Sequence, residues 1–137
     1  MRTINEIIVH CSATPEGKNV TAADIRRWHT VGNGWSDIGY HFVVRIDGTV
    51  EPGRPLAQPG AHCRGHNARS VAICYVGGLA ADGRTPKDTR TPAQRAALLT
   101  LLRELKQQFP CAAIHGHRDF AAKACPSFDA TTEYAGL

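Results

Sequence analysis

The sequence predicts an α/β fold, in which a single domain has a mixed central β-sheet flanked by helices. Short β-branched runs recur along the chain, and segments with helical periodicity separate them. No internal repeat, low-complexity tract or linker interrupts this alternation. The chain of 137 residues has the length of one compact domain, so we expect residues 1–137 to form a single layered unit.

The amino-terminal part carries a strand followed by a helix. Residues 6–10 are short, apolar and β-branched, which predicts a buried strand. Thr21 and Asp24 have the spacing of a capping box and predict a helix over residues 21–31, which stops at Gly32. Three residues are expected on the apolar face of this helix: Ile25, Trp28 and Val31.

A hairpin and a central strand are predicted next. Residues 40–46 and 49–51 flank Asp47-Gly48, which is a strong signal for a two-residue turn between antiparallel strands. Residues 70–78 are apolar and close with two glycines, which predicts a central strand of the sheet.

The last third of the chain holds the clearest helix. Thr91 and Gln94 form a capping box around a first-position proline, so a helix is predicted over residues 91–109. Its apolar face contains five residues: Leu98, Leu101, Leu102, Leu105 and Phe109. Residues 111–116 predict another strand, and the remainder is expected to be loop with one more helical turn.

Composition and charge narrow the classes of function. The formal net charge is +4 and the basic residues are scattered, so we expect an anionic partner but no stable nucleic-acid binding. No apolar run approaches the roughly 20 residues of a transmembrane segment, and the amino terminus shows no signal-peptide pattern. The protein is therefore expected to stay in a cytoplasm unless another factor carries it out. Five cysteines are an odd number, which favours reduced thiols over a disulfide framework.

Two histidines and one cysteine have the chemistry of a metal site. His10 ends the first predicted strand, His117 follows the last one, and Cys125 lies eight residues further on. Zinc favours imidazole nitrogen and thiolate sulfur, and catalytic zinc sites have three protein ligands and one open position. Neighbouring strand ends can bring such residues together. The residues alone leave open a second interpretation, in which the histidines lie at the surface and the thiol is buried.

Several motifs occur in an order that resembles a known family. They are VHCSAT, DIRRWH, GWSDIGYHFVVRIDGTVEPGR, GAHCRGHN, TPAQ, HGHRD and KACPSFD, and they span about residues 5–129. Together they resemble the zinc-dependent N-acetylmuramoyl-L-alanine amidases of the bacteriophage T7 lysozyme type. The peptidoglycan recognition proteins of animals are relatives of these enzymes. Since the chain is short, it resembles the phage endolysin branch in particular.

The resemblance implies roles for residues that match the family motifs. The zinc ligands of the family are matched by three residues: His10, His117 and Cys125. Tyr40 and Lys123 match its catalytic tyrosine and lysine. His62 and Asn67 lie in a loop that borders the substrate groove in the family, so both are expected to bind substrate.

The activity implied by the resemblance is hydrolysis of the amide between N-acetylmuramic acid and L-alanine in peptidoglycan, by a zinc-activated water. A phage or prophage endolysin of this kind is made in the host bacterial cytoplasm and acts on the cell wall after release; we expect a monomer. The resemblance also implies that the protein could bind a phage RNA polymerase. The metal motif does not contain the surface that binds the polymerase, so the motif does not predict this interaction. The alternative is a recognition protein that holds muropeptides without cutting. Such proteins commonly lack the cysteine ligand, which is present here as Cys125.

Three neighbouring residues keep alternative roles. His115 would share a strand face with His117 and is therefore the rival ligand. His41 follows Tyr40 and is expected on the opposite face, where a packing role and a groove role are both open. Cys11 is expected to be a core thiol, and the sequence does not assign a general base.

Overall fold

Strands and helices alternate along the chain in the computed structural model, which describes residues 2–137. The strands are β1 (Glu6–Cys11), β2 (Thr14–Pro15), β3 (Phe42–Val44), β4 (Val50–Pro52), β5 (Ser70–Tyr75), β6 (Gly78–Leu79) and β7 (Ala113–Gly116). The α-helices are α1 (Ala22–Arg27), α2 (Pro92–Gln108) and α3 (Ala130–Glu133). The predicted α/β fold class is confirmed.

Five strands form the central sheet in the order β4-β3-β5-β1-β7. β1 is parallel to both β5 and β7, and β3 is parallel to β5. β4 pairs antiparallel with β3, so the sheet is mixed, as predicted. Because four of the strands run in one direction, their carboxyl ends meet at the same edge of the sheet. β2 and β6 pair separately beyond that edge.

β1 is buried on both faces because the sheet is covered on both sides. Ile7 and Val9 lie in the larger core cluster, which α2 completes with Leu98 and Leu102. The opposite face of the sheet packs in a smaller cluster that contains Ile25 of α1. A strand covered on both faces needs a continuous apolar run, which is the pattern that β1 shows.

The helix predicted over residues 21–31 is shorter than expected. Thr21 caps it and Asp24 completes the capping box, but α-helical winding stops at Arg27 and residues 28–32 form a π-helical turn. Trp28 is 43% exposed and Val31 is 78% exposed, so the predicted apolar face is wrong beyond Ile25. The wider winding of the π turn rotates these positions away from the sheet.

The predicted hairpin forms, but its turn differs. The amide of Arg45 donates to the carbonyl of Thr49 at 2.9 Å, and the amide of Gly48 donates to the carbonyl of Arg45 at 2.8 Å. The loop therefore has three residues, 46–48, rather than the predicted two. Gly48 has a φ of +87°, which closes a type I turn with a bulge and explains why glycine stands there.

The long helix α2 follows its prediction closely. Thr91 is the N-cap and exchanges both capping-box hydrogen bonds with Gln94. The Gln94 amide nitrogen, fully buried, also donates to the carbonyl oxygens of Val44 (3.2 Å) and Val76 (2.9 Å), which ties the start of α2 to the sheet. Among residues 2–137, neither α2 nor any other helix combines the length and apolarity that a membrane crossing requires.

The remaining strands are shorter than predicted. Pairing in β5 ends at Tyr75 rather than at residue 78, and the short strand β6 follows. β7 begins at Ala113 rather than at residue 111. The additional helical turn expected near the end of the chain is α3.

Candidate metal centre

Strand register brings the two predicted histidine ligands together. β1 and β7 are parallel neighbours, and Val9 is the partner of Gly116. His10 and His117 each follow one member of this pair, so both emerge at the carboxyl edge of the sheet. Their ring centroids are 4.5 Å apart.

A loop after β7 carries Cys125 to the same edge. The amide of Arg118 donates to the carbonyl of Cys125 at 2.7 Å. The Tyr75 hydroxyl, at the end of β5, donates to the carbonyl of Pro126 at 2.6 Å. The amide of Cys11 donates to the Cys125 sulfur at 3.2 Å. Contacts from β1, β5 and the turn after β7 therefore fix the position of this thiol.

The three side chains have the geometry of an ion-binding cluster. One ligand atom from each of His10, His117 and Cys125 lies within 4.8 Å of the others. Among the His, Cys, Asp and Glu side chains of residues 2–137, these three form the group that is close enough to share a metal ion. The Cys125 Sγ is 3.9 Å from Nδ1 of His10. Two imidazole nitrogens and one sulfur are a donor set that suits Zn²⁺ and leaves a fourth position open. The residues present therefore fit a catalytic zinc ion.

The surroundings hold both imidazoles in the neutral form that binds metals. Burial lowers the pKa of His10 well below its usual value, and nearby His62, His117 and Lys123 act in the same direction. Burial, followed by Lys123, also lowers the pKa of His117. The hydrogen bond with Cys11 and burial raise the pKa of the Cys125 thiol, so a cation is needed to hold it as thiolate.

A groove of about 620 Å³ opens beside the cluster. Tyr40, Lys123 and His117 line it, so the predicted catalytic residues share this space with one of the predicted ligands. The Tyr40 ring lies 5.1 Å from the His10 ring, centroid to centroid. Burial raises the pKa of Tyr40 well above its usual value, which keeps its hydroxyl protonated as a donor.

His62 and Asn67, predicted to bind substrate, also line the groove. Each has a contact within the protein as well. The His62 Nδ1 lies 2.8 Å from the Nε2 of His10. The Asn67 side-chain oxygen accepts hydrogen bonds from the backbone amides of His62 and Cys63, at 2.9 and 3.0 Å. The fold thus uses Asn67 to shape the loop that carries His62.

The rival ligand His115 does not join the cluster. Its Nδ1 lies 3.6 Å from the Asp119 carboxylate and 3.4 Å from the Thr131 hydroxyl. The chain leaves extended geometry at residues 117–119, which form a 3₁₀ turn. This turn separates His117 from the strand alternation that would have placed both histidines on one face.

His41 is buried next to the site and serves packing. The amide of Ala72 donates to its Nδ1 at 3.0 Å, which leaves its Nε2 to donate to the carbonyl of Gln58 at 2.8 Å. Burial lowers the pKa of His41 to about 4, so the ring is neutral at pH 7. Cys11 is also buried, and it belongs to the core as predicted.

Most of the chain matches a known protein family. A sequence profile described as N-acetylmuramoyl-L-alanine amidase matches residues 1–128. The chain belongs to the N-acetylmuramoyl-L-alanine amidase family. The resemblance inferred from the motifs is therefore confirmed, and the fold and the grouped side chains can be discussed as those of an amidase.

Individual relatives of this amidase cover most of its length. The endolysin of Klebsiella phage KP32 is 50% identical over 125 residues, covering 91% of this chain and 82% of that protein. The endolysin of Escherichia phage T7 is 45% identical over 123 residues, covering 90% and 80%. The N-acetylmuramoyl-L-alanine amidase LysC from Clostridium intestinale URNW aligns with a TM-score of 0.81 at 32% identity, covering 97% of this chain and 83% of that one.

The amidase groove also contains residues that the sequence reasoning missed. They are His29, Trp35 and Arg64. The Trp35 ring packs on the His29 ring at 4.8 Å, centroid to centroid, and is 38% exposed. These residues come from the π turn and the loops around it, where no periodic pattern shows which side chains face inward. The only available signal was their position inside the DIRRWH, GWSDIGYHF and GAHCRGHN motifs.

Proposed function

We propose that this amidase hydrolyses the amide between N-acetylmuramic acid and L-alanine in peptidoglycan, with a zinc ion held by His10, His117 and Cys125. The observation that supports this most strongly is the three-ligand cluster, whose member His117 lines the same groove as Tyr40 and Lys123. The relatives from phages KP32 and T7 are endolysins, which supports the same role in phage lysis.

The proposed site would hold zinc with two neutral ligands and one charged ligand. Bound there, zinc supplies a Lewis acid for the amide carbonyl and a water of lowered pKa. His10 and His117 bind as neutral imidazoles, and their lowered pKa values keep them available at neutral pH. Cys125 supplies the one negative charge of the set.

Tyr40 and Lys123 act on the charge that develops on the substrate. Attack of water on the amide carbonyl places negative charge on its oxygen. Lys123 and Tyr40 both line the groove. An ammonium and a hydroxyl that point at the developing charge stabilise an oxyanion. The carbon–nitrogen bond then breaks, and the alanine nitrogen takes up a proton that either donor can relay.

The groove and the charge of the chain suit a cell-wall substrate. Polar and aromatic side chains line the groove together, as expected for a site that binds a sugar–peptide junction. The net charge of +4 favours an anionic wall surface. We infer that the protein acts on the wall after release from the cytoplasm, works as a monomer and binds no nucleic acid stably.

The function is tested by product chemistry and metal content together. Purified sacculi are incubated with the protein, and new L-alanine amino termini and new reducing sugar ends are measured separately. We expect only the amino termini, with about one zinc per chain. New reducing ends without new amino termini would instead identify a glycosidase.

Cysteine variants provide the matched control. Cys125→Ala is expected to lose both zinc and activity, whereas Cys111→Ala, which removes an exposed thiol, is expected to keep both. Activity that survives Cys125→Ala or removal of zinc with EDTA would contradict the proposed reaction.

A further inference from the structure

We propose that His62 and Ser70 form a hydrogen-bonded relay that holds the His10 ring in its metal-binding orientation. This inference rests on the proposed zinc site and adds a positioning role for two residues outside the ligand set. His62 lies between the other two side chains. Its Nδ1 is 2.8 Å from His10 Nε2, and its Nε2 is 2.9 Å from the Ser70 hydroxyl.

The direction of each hydrogen bond follows from the side of His10 that faces the cluster. The Nδ1 of His10 is the nitrogen near the Cys125 sulfur, at 3.9 Å. A neutral imidazole that binds metal through Nδ1 carries its proton on Nε2. His10 Nε2 must therefore donate to His62 Nδ1. His62 then carries its own proton on Nε2 and donates it to the Ser70 oxygen.

Both ring nitrogens of His62 are used by this relay. His10 occupies one and Ser70 occupies the other, so the ring has no nitrogen left to hydrogen-bond a substrate. The side chain lines the groove wall, but its polar atoms point into the protein.

The sheet provides a rigid base for the relay. His10 is the register partner of Cys74 in β5, so their side chains lie on the same face of the sheet. Ser70 lies four residues before Cys74 on the same strand, so Ser70 and His10 also share that face. Ser70 is fully buried. The Arg2 guanidinium donates to its carbonyl at 2.7 Å, which fixes the backbone at the start of β5.

Loss of His62 would leave a buried donor without a partner. His10 is 1% exposed, so water cannot readily replace His62 at its Nε2. The unpaired ring would turn or tilt toward another partner and present Nδ1 poorly to the ion. Removing such a partner of a metal-binding histidine typically weakens metal binding by about 10- to 100-fold.

The test measures zinc affinity directly, by competition with a chromophoric chelator, on the full chain. His62→Ala is expected to weaken zinc binding by about 10- to 100-fold. His62→Asn keeps an acceptor oxygen near the position of Nδ1 and should restore most of the loss. Ser70→Ala should give a smaller loss, because it removes only the outer hydrogen bond. His66→Ala is the matched control, since His66 lies in the same loop but pairs with Glu6.

Steady-state kinetics separates this role from a direct contact with substrate. A positioning role predicts that His62→Ala at subsaturating zinc loses kcat and regains most of it as zinc is raised. A zinc affinity of His62→Ala within about twofold of the parent, with a raised KM alone, would overturn the relay. If His62→Ala does not fold, His62→Asn and Ser70→Ala decide the question by the same titration. Failure of the unaltered protein to bind zinc would instead contradict the metal site itself.

Discussion

At the scale of single residues, the proposed site has groups that would hold the ion and groups that would act on substrate. Tyr40 is proposed to be of the second kind, and its ring packs 5.1 Å from the His10 ring, centroid to centroid. Its raised pKa keeps the hydroxyl protonated through the neutral range. Tyr40 is therefore suited to donate a hydrogen bond rather than to bind the ion.

Tyr40→Phe removes only this donor and should reduce kcat by about 10²- to 10³-fold, as loss of one oxyanion donor does. Zinc content should not change, which a metal assay on the purified variant checks. Tyr134→Phe is the control, because it deletes a buried hydroxyl that bonds to Arg90 at 2.9 Å, away from the groove. A Tyr40→Phe variant with unaltered kcat would remove this residue from the catalytic role.

His41 should make stability depend on pH. Its folded-state pKa is lowered to about 4, chiefly by burial, from the ordinary 6.5. Below pH 6.5 the unfolded chain binds a proton that the folded chain refuses, so this stability is present above 6.5 and lost as pH falls toward 4. The loss amounts to about 3 kcal/mol at most.

Urea unfolding of His41→Gln and of the parent chain between pH 4 and 7.5 checks this. The variant should be less stable at pH 7.5, because the bonds to Ala72 and Gln58 are weakened. Its free energy of unfolding should also fall less steeply as pH is lowered. Parallel curves for the two proteins would assign the pH dependence to other groups.

The sequence could place the candidate ligands and donors but not their supporting contacts. The motifs identify five residues: His10, His117, Cys125, Tyr40 and Lys123. The structure clusters the first three, and His117 lines a groove together with Tyr40 and Lys123. The bond between His10 and His62 joins residues 52 positions apart. No spacing rule in a single sequence reveals a contact of that kind, because it depends on how a long irregular loop folds over the sheet.

At the scale of elements, close backbone packing at the end of β7 positions the loop that carries Cys125. A Cβ built on Gly116 would lie 2.9 Å from the Cδ of Pro126, the residue after Cys125. The backbone of Gly116 has an ordinary φ of −97°, so glycine is needed here for space rather than for conformation. The close approach lets the loop carry its thiol up to His10.

Gly116→Ala should therefore push Pro126 outward and weaken zinc binding. Overpacking of this kind typically costs about 1–3 kcal/mol, shared between stability and the geometry of the loop. Zinc competition and urea unfolding measure the two parts. Gly136→Ala is the control, since a Cβ there meets no atom within 4 Å. Equal zinc affinity in both variants would show that the loop adapts.

Elements were predicted best where one local signal dominated. α2 has a capping box, a first-position proline and a leucine stripe, and it begins and ends within one residue of its prediction. α1 was overestimated because Trp28 and Val31 continue a helical spacing that the π turn breaks. A change of winding follows from tertiary packing around residues 28–35, which periodicity does not describe.

At the scale of the whole molecule, the candidate ion joins segments that are distant in sequence. His10 lies on the first strand, β1, whereas Cys125 follows the last strand, β7, and 115 positions separate the two residues. The ion would bind the folded chain and not the unfolded one. Mass action then adds about 2.7 kcal/mol of stability at free zinc a hundredfold above its dissociation constant.

Removal of zinc with EDTA should accordingly lower the thermal midpoint of the parent chain by several degrees and leave a folded protein. Differential scanning calorimetry with and without added zinc measures the shift. Cys125→Ala, measured in parallel, should show no zinc-dependent shift. Equal shifts in both proteins would indicate that zinc binds elsewhere.

The overall architecture was predictable because the local sequence signals all favour the same fold class. Apolar strands, a capped helix and a glycine turn each favour the same layered α/β arrangement, and the structure has it. Strand order was not predictable in the same way. Placing β1 between β5 and β7 depends on crossovers through helices, and several orders satisfy the same local patterns.

The late position of Cys125 in the chain has a consequence for how the enzyme comes into being. A ribosome that stops anywhere before this codon releases a polypeptide with at most two of the three donors, because Cys125 is the last of them in the chain. Such a fragment has no complete site to hold an ion. Metal binding at this cluster is therefore expected only from chains that have been translated through Cys125.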